Sequence, residues 1–187
     1  MQRGYKAWCE RYSADTRREL GLPPTSPLSA RELAKHLGIR VWTPHDVPGL
    51  PPETRQVLLR NDGSPSCWSA VTLVVGDKIL VILNSSHSPA RQASDLMHEL
   101  AHRIRNHEPE EMSISSEGLM LLKAYDKEQE EEADWLAGTL LLPREALVDI
   151  RRQGMSDEEV IAEYGVSKRM YTYRVSMTGL NRQFRQR

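Results

Sequence analysis

The spacing of hydrophobic residues changes about halfway along the chain, and this change predicts the fold class. In the first half, short β-branched runs at 39–42, 69–75 and 78–83 predict strands. Gly76-Asp77 separates the last two runs and predicts a hairpin turn. In the second half, apolar residues recur every three or four positions, which predicts amphipathic helices. The chain therefore predicts an α+β fold, with a small, mostly antiparallel sheet packed on a helix and followed by a helical C-terminal part.

Capping residues, glycines and prolines set the expected element boundaries. Ser29 with Glu32 forms a capping box, and Ser88 precedes a proline in the pattern of a helix start. The proline-rich stretch 43–55 predicts a loop, and the glutamate-rich stretch 108–117 predicts a loop or a short helix. Residues 57–60 predict a further strand. The expected helices cover residues 5–20, 30–37, 88–106, 119 or 126 to 142, 143–153, 156–164 and 168–177.

These elements suggest a division of the chain into three parts. Residues 1–28 form an N-terminal helical extension, because a glycine and three prolines between 21 and 27 interrupt the pattern. Residues 29–143 form the core, which holds the sheet and the longest helices. Residues 144–187 form a small helical C-terminal segment that resembles a helix-turn-helix.

Composition and charge exclude several classes of protein. The chain has 25 Lys and Arg against 26 Asp and Glu, a net charge of −1, so no global charge attracts nucleic acid or a membrane surface. Cys9 and Cys67 are too few for a disulfide framework and are expected to be reduced. The N-terminus has no apolar run of the signal-peptide type, and the apolar stretch 71–83 is too short for a membrane span. We therefore expect a soluble, cytoplasmic protein without a membrane partner.

The strongest candidates for metal binding and catalysis lie in the sequence His98-Glu99-Leu100-Ala101-His102. Residues four apart lie on one face of a helix, so two imidazoles can bind one zinc ion. Glu99 then lies beside the ion and can act as the catalytic base. The competing interpretation is an amphipathic helix with two solvated histidines. The helix phase favours a metal site, because the apolar residues lie opposite the histidines: Ala93, Leu96, Met97, Leu100 and Ile104.

A zinc site of this type needs a third protein ligand, and the helix beginning near 126 offers several carboxylates. Glu130 lies at the edge of this helix's apolar stripe and is the expected ligand, with Glu132 and Glu131 as alternatives. Asp134, one turn later, can orient a ligating histidine through the second ring nitrogen. Most other glutamates are expected on a solvated face. The stripe itself consists of Ala133, Leu136, Ala137, Leu140 and Leu141.

The remaining histidines and one tyrosine are weaker candidates. Tyr125 can supply a hydroxyl to a developing oxyanion, although only its position supports that role. The other histidines have no partner at ligand spacing and are expected to be surface or loop residues: His36, His45, His87 and His107.

Together, Asn84, Arg91, the HELAH helix and the stretch EEEADWLAGTLLLP at 130–143 resemble the ImmA/IrrE family of bacterial metallopeptidases. The chain departs from the family pattern at Leu136, where an aromatic residue is usual, and at Gly138. The resemblance implies a zincin-like fold and a zinc endopeptidase whose ligands are two histidines and a glutamate from 130–132, with Glu99 as base. It also implies a protein substrate, a helix-turn-helix repressor of the Cro/CI type.

Two other functions compete with this interpretation. The helices at 157–164 and 168–177 have helix-turn-helix lengths, which is compatible with a DNA-binding module, although a helical hairpin packed on the core is the preferred explanation. A scaffold without turnover is the other alternative, and the intact HELAH motif argues against it. Basic residues support DNA binding: Lys168, Arg169, Arg174, Arg182, Arg185 and Arg187.

Overall fold

A computed structural model describes most of the chain and allows these expectations to be tested. The described residues are 1–62, 66, 68–75, 78–107, 112–114, 120–122 and 126–180. Several residues named above lie outside the described residues: Cys67, Gly76, Asp77, Tyr125, Arg182, Arg185 and Arg187.

The described elements confirm an α+β fold. Within the described part of the chain, none of the helices has both the length and the apolar character that a membrane crossing requires. In chain order the elements are α1 (Tyr5–Glu19), α2 (Ala30–His36), β1 (Arg40–Trp42), α3 (Pro52–Leu58), β2 (Ala70–Val75), β3 (Lys78–Leu83), α4 (Pro89–Ile104), β4 (Met112–Ile114), β5 (Met120–Leu122), α5 (Lys127–Leu141), α6 (Arg144–Gln153), α7 (Asp157–Tyr164) and α8 (Lys168–Met177).

The main sheet is small and mixed. Its strand order is β1-β3-β2, with β2 antiparallel and β1 parallel to the central β3. The parallel pair is possible because the connection from β1 to β3 is long and includes both α3 and β2. Along β3, Ile79, Val81 and Leu83 are buried, and α4 packs against this strand and β2. The sheet therefore supports the helix that carries the HELAH sequence.

In two regions the type of secondary structure differs from the prediction. A helix, α3, replaces the loop expected to residue 55 and the strand expected at 57–60, because Pro52 stands in the first helical turn, where its missing N–H is not needed. The segments 112–114 and 120–122 pair as an antiparallel ladder, where a loop or helix was expected. Helix α5 begins at the later of its two expected starts, since Asp126 caps it by accepting bonds from the backbone N–H groups of Glu128 and Gln129.

Helix α1 packs directly on α5. The Tyr5 hydroxyl donates to the carbonyl of Glu132 at 2.7 Å, and Ser13 Oγ donates to that of Thr139 at 3.2 Å. Arg17 is fully buried, and its Nη2 donates to the carbonyl of Leu140 at 2.8 Å. The N-terminal helix is therefore joined to α5 along most of that helix's length.

The C-terminal helices also pack inward, and Arg174 of α8 is their main polar anchor. Its side chain is fully buried, and it donates from Nε to the carbonyl of Leu142 and from Nη2 to Glu10 Oε1, both at 2.9 Å. It crosses α5 at Gly138, where an added Cβ would lie 2.9 Å from Arg174 Cδ. Arg174 is therefore unavailable to a nucleic-acid phosphate.

We expect Arg174→Ala to lower the free energy of unfolding by about 3 kcal/mol, because it leaves a partly buried carboxylate and a buried carbonyl without their donor. Urea denaturation followed by circular dichroism measures this loss. Arg169→Ala on the exposed side of the same helix is the matched control and should change stability by less than about 0.5 kcal/mol. Equal stability of the two variants would show that the Arg174 bonds contribute little.

Candidate metal centre

Helices α4 and α5 bring His98, His102 and Glu130 together. The Nε2 atoms of the two histidines are 3.0 Å apart. His98 Nε2 lies 3.1 Å from Glu130 Oε2, and His102 Nε2 lies 2.9 Å from Glu130 Oε1. All three side chains are about one-quarter exposed, so a small molecule can reach them. Three potential metal donors thus converge at one accessible point.

The phase of α4 explains how the histidines come to face α5. Leu96, Met97 and Leu100 are buried beneath the helix, while His98 and His102 lie one turn apart on its other side. Ser88 accepts a bond from the Arg91 backbone N–H and fixes where the helix begins.

The three consecutive glutamates of α5 point in different directions. Glu130 reaches the histidines, whereas the Glu131 side chain is about half exposed and lies 4.0 Å from Lys127 Nζ. Glu132 was expected off the buried stripe, but it is only 6% exposed, and its Oε2 accepts bonds from Arg105. The expectation failed because α1 covers a second side of α5. Neither alternative glutamate belongs to the group of three donors.

Asp134 lies behind His98. Its Oδ1 is 3.0 Å from His98 Nδ1, the nitrogen that faces away from Glu130. A carboxylate in this position accepts a hydrogen bond from Nδ1–H, which keeps the proton on Nδ1 and leaves the lone pair on Nε2. The sequence-based role of Asp134 as an orienting residue is therefore compatible with its position.

His107 occupies the corresponding position behind His102. Its Nδ1 lies 2.9 Å from His102 Nδ1, and its side chain is only 7% exposed. His107 lies in the loop that follows α4, as expected, although its side chain is mostly buried. His87 also lies in a loop, between β3 and α4, and its 6% exposed side chain lies 3.1 Å from Asp95. His36 and His45 are exposed, as expected.

Glu99 lies between this group and the sheet. Its Oε2 accepts a hydrogen bond from Thr72 Oγ1, in the middle of β2. Sequence reasoning missed Thr72 because nothing in the spacing of a strand indicates which helix residue it will meet.

Burial and neighbouring charges shift the pKa values of the converging groups. Burial and the adjacent imidazoles of His98 and His107 lower the pKa of His102 to about 4, so this ring is neutral at neutral pH. Burial lowers the pKa of His98, but the bond to Asp134 and the charge of Glu130 raise it above the ordinary value overall. Burial also raises the pKa of Glu130. His102 is therefore already in the protonation state that binds a metal, whereas binding at His98 competes with a proton.

The donor set suits a divalent metal of the zinc type. Zinc accepts both imidazole nitrogen and carboxylate oxygen as ligands, and three protein ligands leave a further position for substrate or water. The outer nitrogen of each histidine has a partner, which is typical of metal-binding histidines. The residues present therefore fit a catalytic metal.

In a comparison with protein-family models, residues 62–176 match the model described as the IrrE N-terminal-like domain of peptidase family M78. The chain belongs to the ImmA/IrrE family. The matched region contains α4, α5 and the three converging donors, and the α+β architecture agrees with a zincin-like ImmA/IrrE fold. Family membership supports a metallopeptidase-type function. No curated protein matches the chain in a sequence comparison.

If Glu130 contributes a ligand, Glu130→Gln should weaken metal binding far more than Glu131→Gln, because the amide has lost the anionic oxygen that faces the histidines. Titration with zinc against a competing chelator measures both affinities. The matched control changes the same group one residue away, on a side chain that is about half exposed. Equal affinities would exclude Glu130 from the ligand set.

Proposed function

We propose that this member of the ImmA/IrrE family is a zinc-dependent endopeptidase, in which His98, His102 and Glu130 hold the metal and Glu99 is the catalytic base. The observation that carries this proposal is the convergence of those three donors in a chain of a metallopeptidase family. Glu99 follows His98 directly and so lies beside the site. This position is where a proton acceptor for attacking water is needed.

The proposed reaction is hydrolysis of a peptide bond. Zinc, when bound, supplies a Lewis acid that polarises the carbonyl and acidifies water. Glu99 accepts a proton from water while the water oxygen attacks the carbonyl carbon. Glu99 then donates that proton to the amine nitrogen as the C–N bond breaks. The Thr72 bond engages Oε2 of Glu99, so we assign the proton transfers to Oε1.

The sheet supports a peptide as substrate. In the described part of the chain, β2 is an edge strand of the three-stranded sheet. An edge strand offers unpaired backbone groups to which an extended peptide can add as a further strand. Thr72 lies in the middle of β2 and contacts Glu99, so a peptide paired with this edge passes beside the proposed base.

We further propose that the substrate is a helix-turn-helix repressor of the Cro/CI type, as the ImmA/IrrE resemblance implies. Cleavage would relieve repression, and such a substrate implies action in the cytoplasm. The alternative, a DNA-binding regulatory module at the C-terminal helices, has less support. One of its basic residues, Arg174, is fully buried and bonded to Glu10.

The purified protein should bind one zinc ion per chain, and His98→Ala should lose most of it, because one of three proposed ligands is removed. Metal analysis after exhaustive dialysis gives the stoichiometry. His36→Ala, at an exposed histidine paired with Glu19, should retain the full zinc content. Equal zinc in wild type and His98→Ala would disprove the proposed site.

Glu99→Gln should keep the fold and the zinc but lower peptide-bond cleavage by about 10²–10⁴-fold, because the amide cannot accept the proton. The assay is incubation with a helix-turn-helix repressor of the Cro/CI type, with and without a chelator. Near-normal cleavage by the variant would remove Glu99 from the mechanism. Chelator-sensitive cleavage of an unfolded test protein, with the repressor intact, would support the peptidase and reject the proposed substrate.

A further inference from the structure

Behind His102, on the side away from Glu130, three polar side chains lie in a row. His107 contacts His102, Glu132 lies next to His107, and Arg105 binds Glu132. We infer that His107 is a positioning residue that sets the tautomer of His102. This inference rests on the proposed function, since it assumes that His102 Nε2 binds the metal.

The C-terminal end of α4 explains why His107 lies over His102. Asn106 has a left-handed backbone with φ 52°, and its N–H donates to the carbonyl of Arg103 at 3.1 Å. The next N–H, that of His107, donates to the carbonyl of His102 at 3.0 Å. This pair of bonds is a Schellman motif, which turns the chain back over the last helical turn. The backbone itself therefore brings the two imidazoles together.

The proton positions on His107 and His102 follow from the pair of Glu132 and Arg105 at the other end of this row. The Glu132 carboxylate accepts hydrogen bonds from Arg105 at 3.0 and 3.2 Å, and a carboxylate has acceptor atoms only. Its Oε2 lies 3.5 Å from His107 Nε2 and favours a proton on that nitrogen. His107 Nδ1 then carries the lone pair and accepts from His102 Nδ1–H. The lone pair of His102 is thereby directed to Nε2, towards the metal centre.

Helix α1 contacts Arg105, the residue of this row that lies farthest from His102. The Arg105 guanidinium lies 5.0 Å from the ring centres of both Tyr5 and Trp8, within cation–π range. The Tyr5 hydroxyl also donates to the backbone carbonyl of Glu132. The contacts that position His102 therefore extend to α1, a helix that lies outside the residues matched by the family model.

The decisive measurement is zinc affinity by competition with a chelator, which requires no substrate. His107→Leu should weaken zinc binding by about 10–100-fold, the usual cost of losing a partner of a ligating histidine. His107→Asn should recover most of the affinity, because its amide oxygen can accept the bond in place of Nδ1. The matched control is His87→Leu, which removes another buried histidine, paired with Asp95, and should retain wild-type affinity.

Nitrogen NMR of the zinc-bound wild type tests the tautomers directly and does not depend on the folding of any variant. We expect the proton of His107 on Nε2 and that of His102 on Nδ1. A proton on His107 Nδ1, or unchanged zinc affinity in His107→Leu, would overturn the inference while leaving the proposed function intact. A wild type that binds no zinc would overturn both.

Discussion

The contact between α4 and α5 is the constraint on which the candidate centre depends, because neither helix carries a complete donor set. His98 and His102 come from α4, and Glu130 comes from the first turn of α5. The two helices pack together, and each has fully buried residues: Leu100 and Ala101 on α4, and a row of residues on α5. That row is Ala133, Leu136, Ala137 and Leu140. Any shift of one helix along the other would separate the carboxylate from the imidazoles.

Periodicity explains what the sequence could predict. The one-turn spacing of His98 and His102 and the position of Glu130 at the edge of a stripe are properties of single helices, so their convergence follows from helix phase. The HELAH helix and the α+β class could be predicted for the same reason. The parallel pairing of β1 and the contact of Thr72 with Glu99 depend on how distant segments meet. A local pattern carries no information about such contacts.

Glu132 shows where analysis of a single apolar stripe fails. That method assumes one buried face and one solvated face, but α5 is covered by α4 on one side and by α1 on another. A buried glutamate on the second covered side needs a charged partner. For Glu132 that partner is Arg105, whose Nη2 lies 3.0 Å from Glu132 Oε2. His107 was missed for a related reason. Its position depends on the left-handed turn at Asn106, which the helical period of α4 does not encode.

Helices α1 and α8 also bind the C-terminal end of α5, which is the end away from Glu130. The last carbonyls of a helix have no partner within it, and those of α5 are buried before Pro143. Arg17 from α1 donates to the carbonyl of Leu140, and Arg174 from α8 donates to that of Leu142. Both cations also suit the negative end of the helix dipole. Gly138 leaves room for Arg174, since an added Cβ at this position would lie 2.9 Å from Arg174 Cδ. Anchoring one end of α5 in this way fixes where its other end presents Glu130.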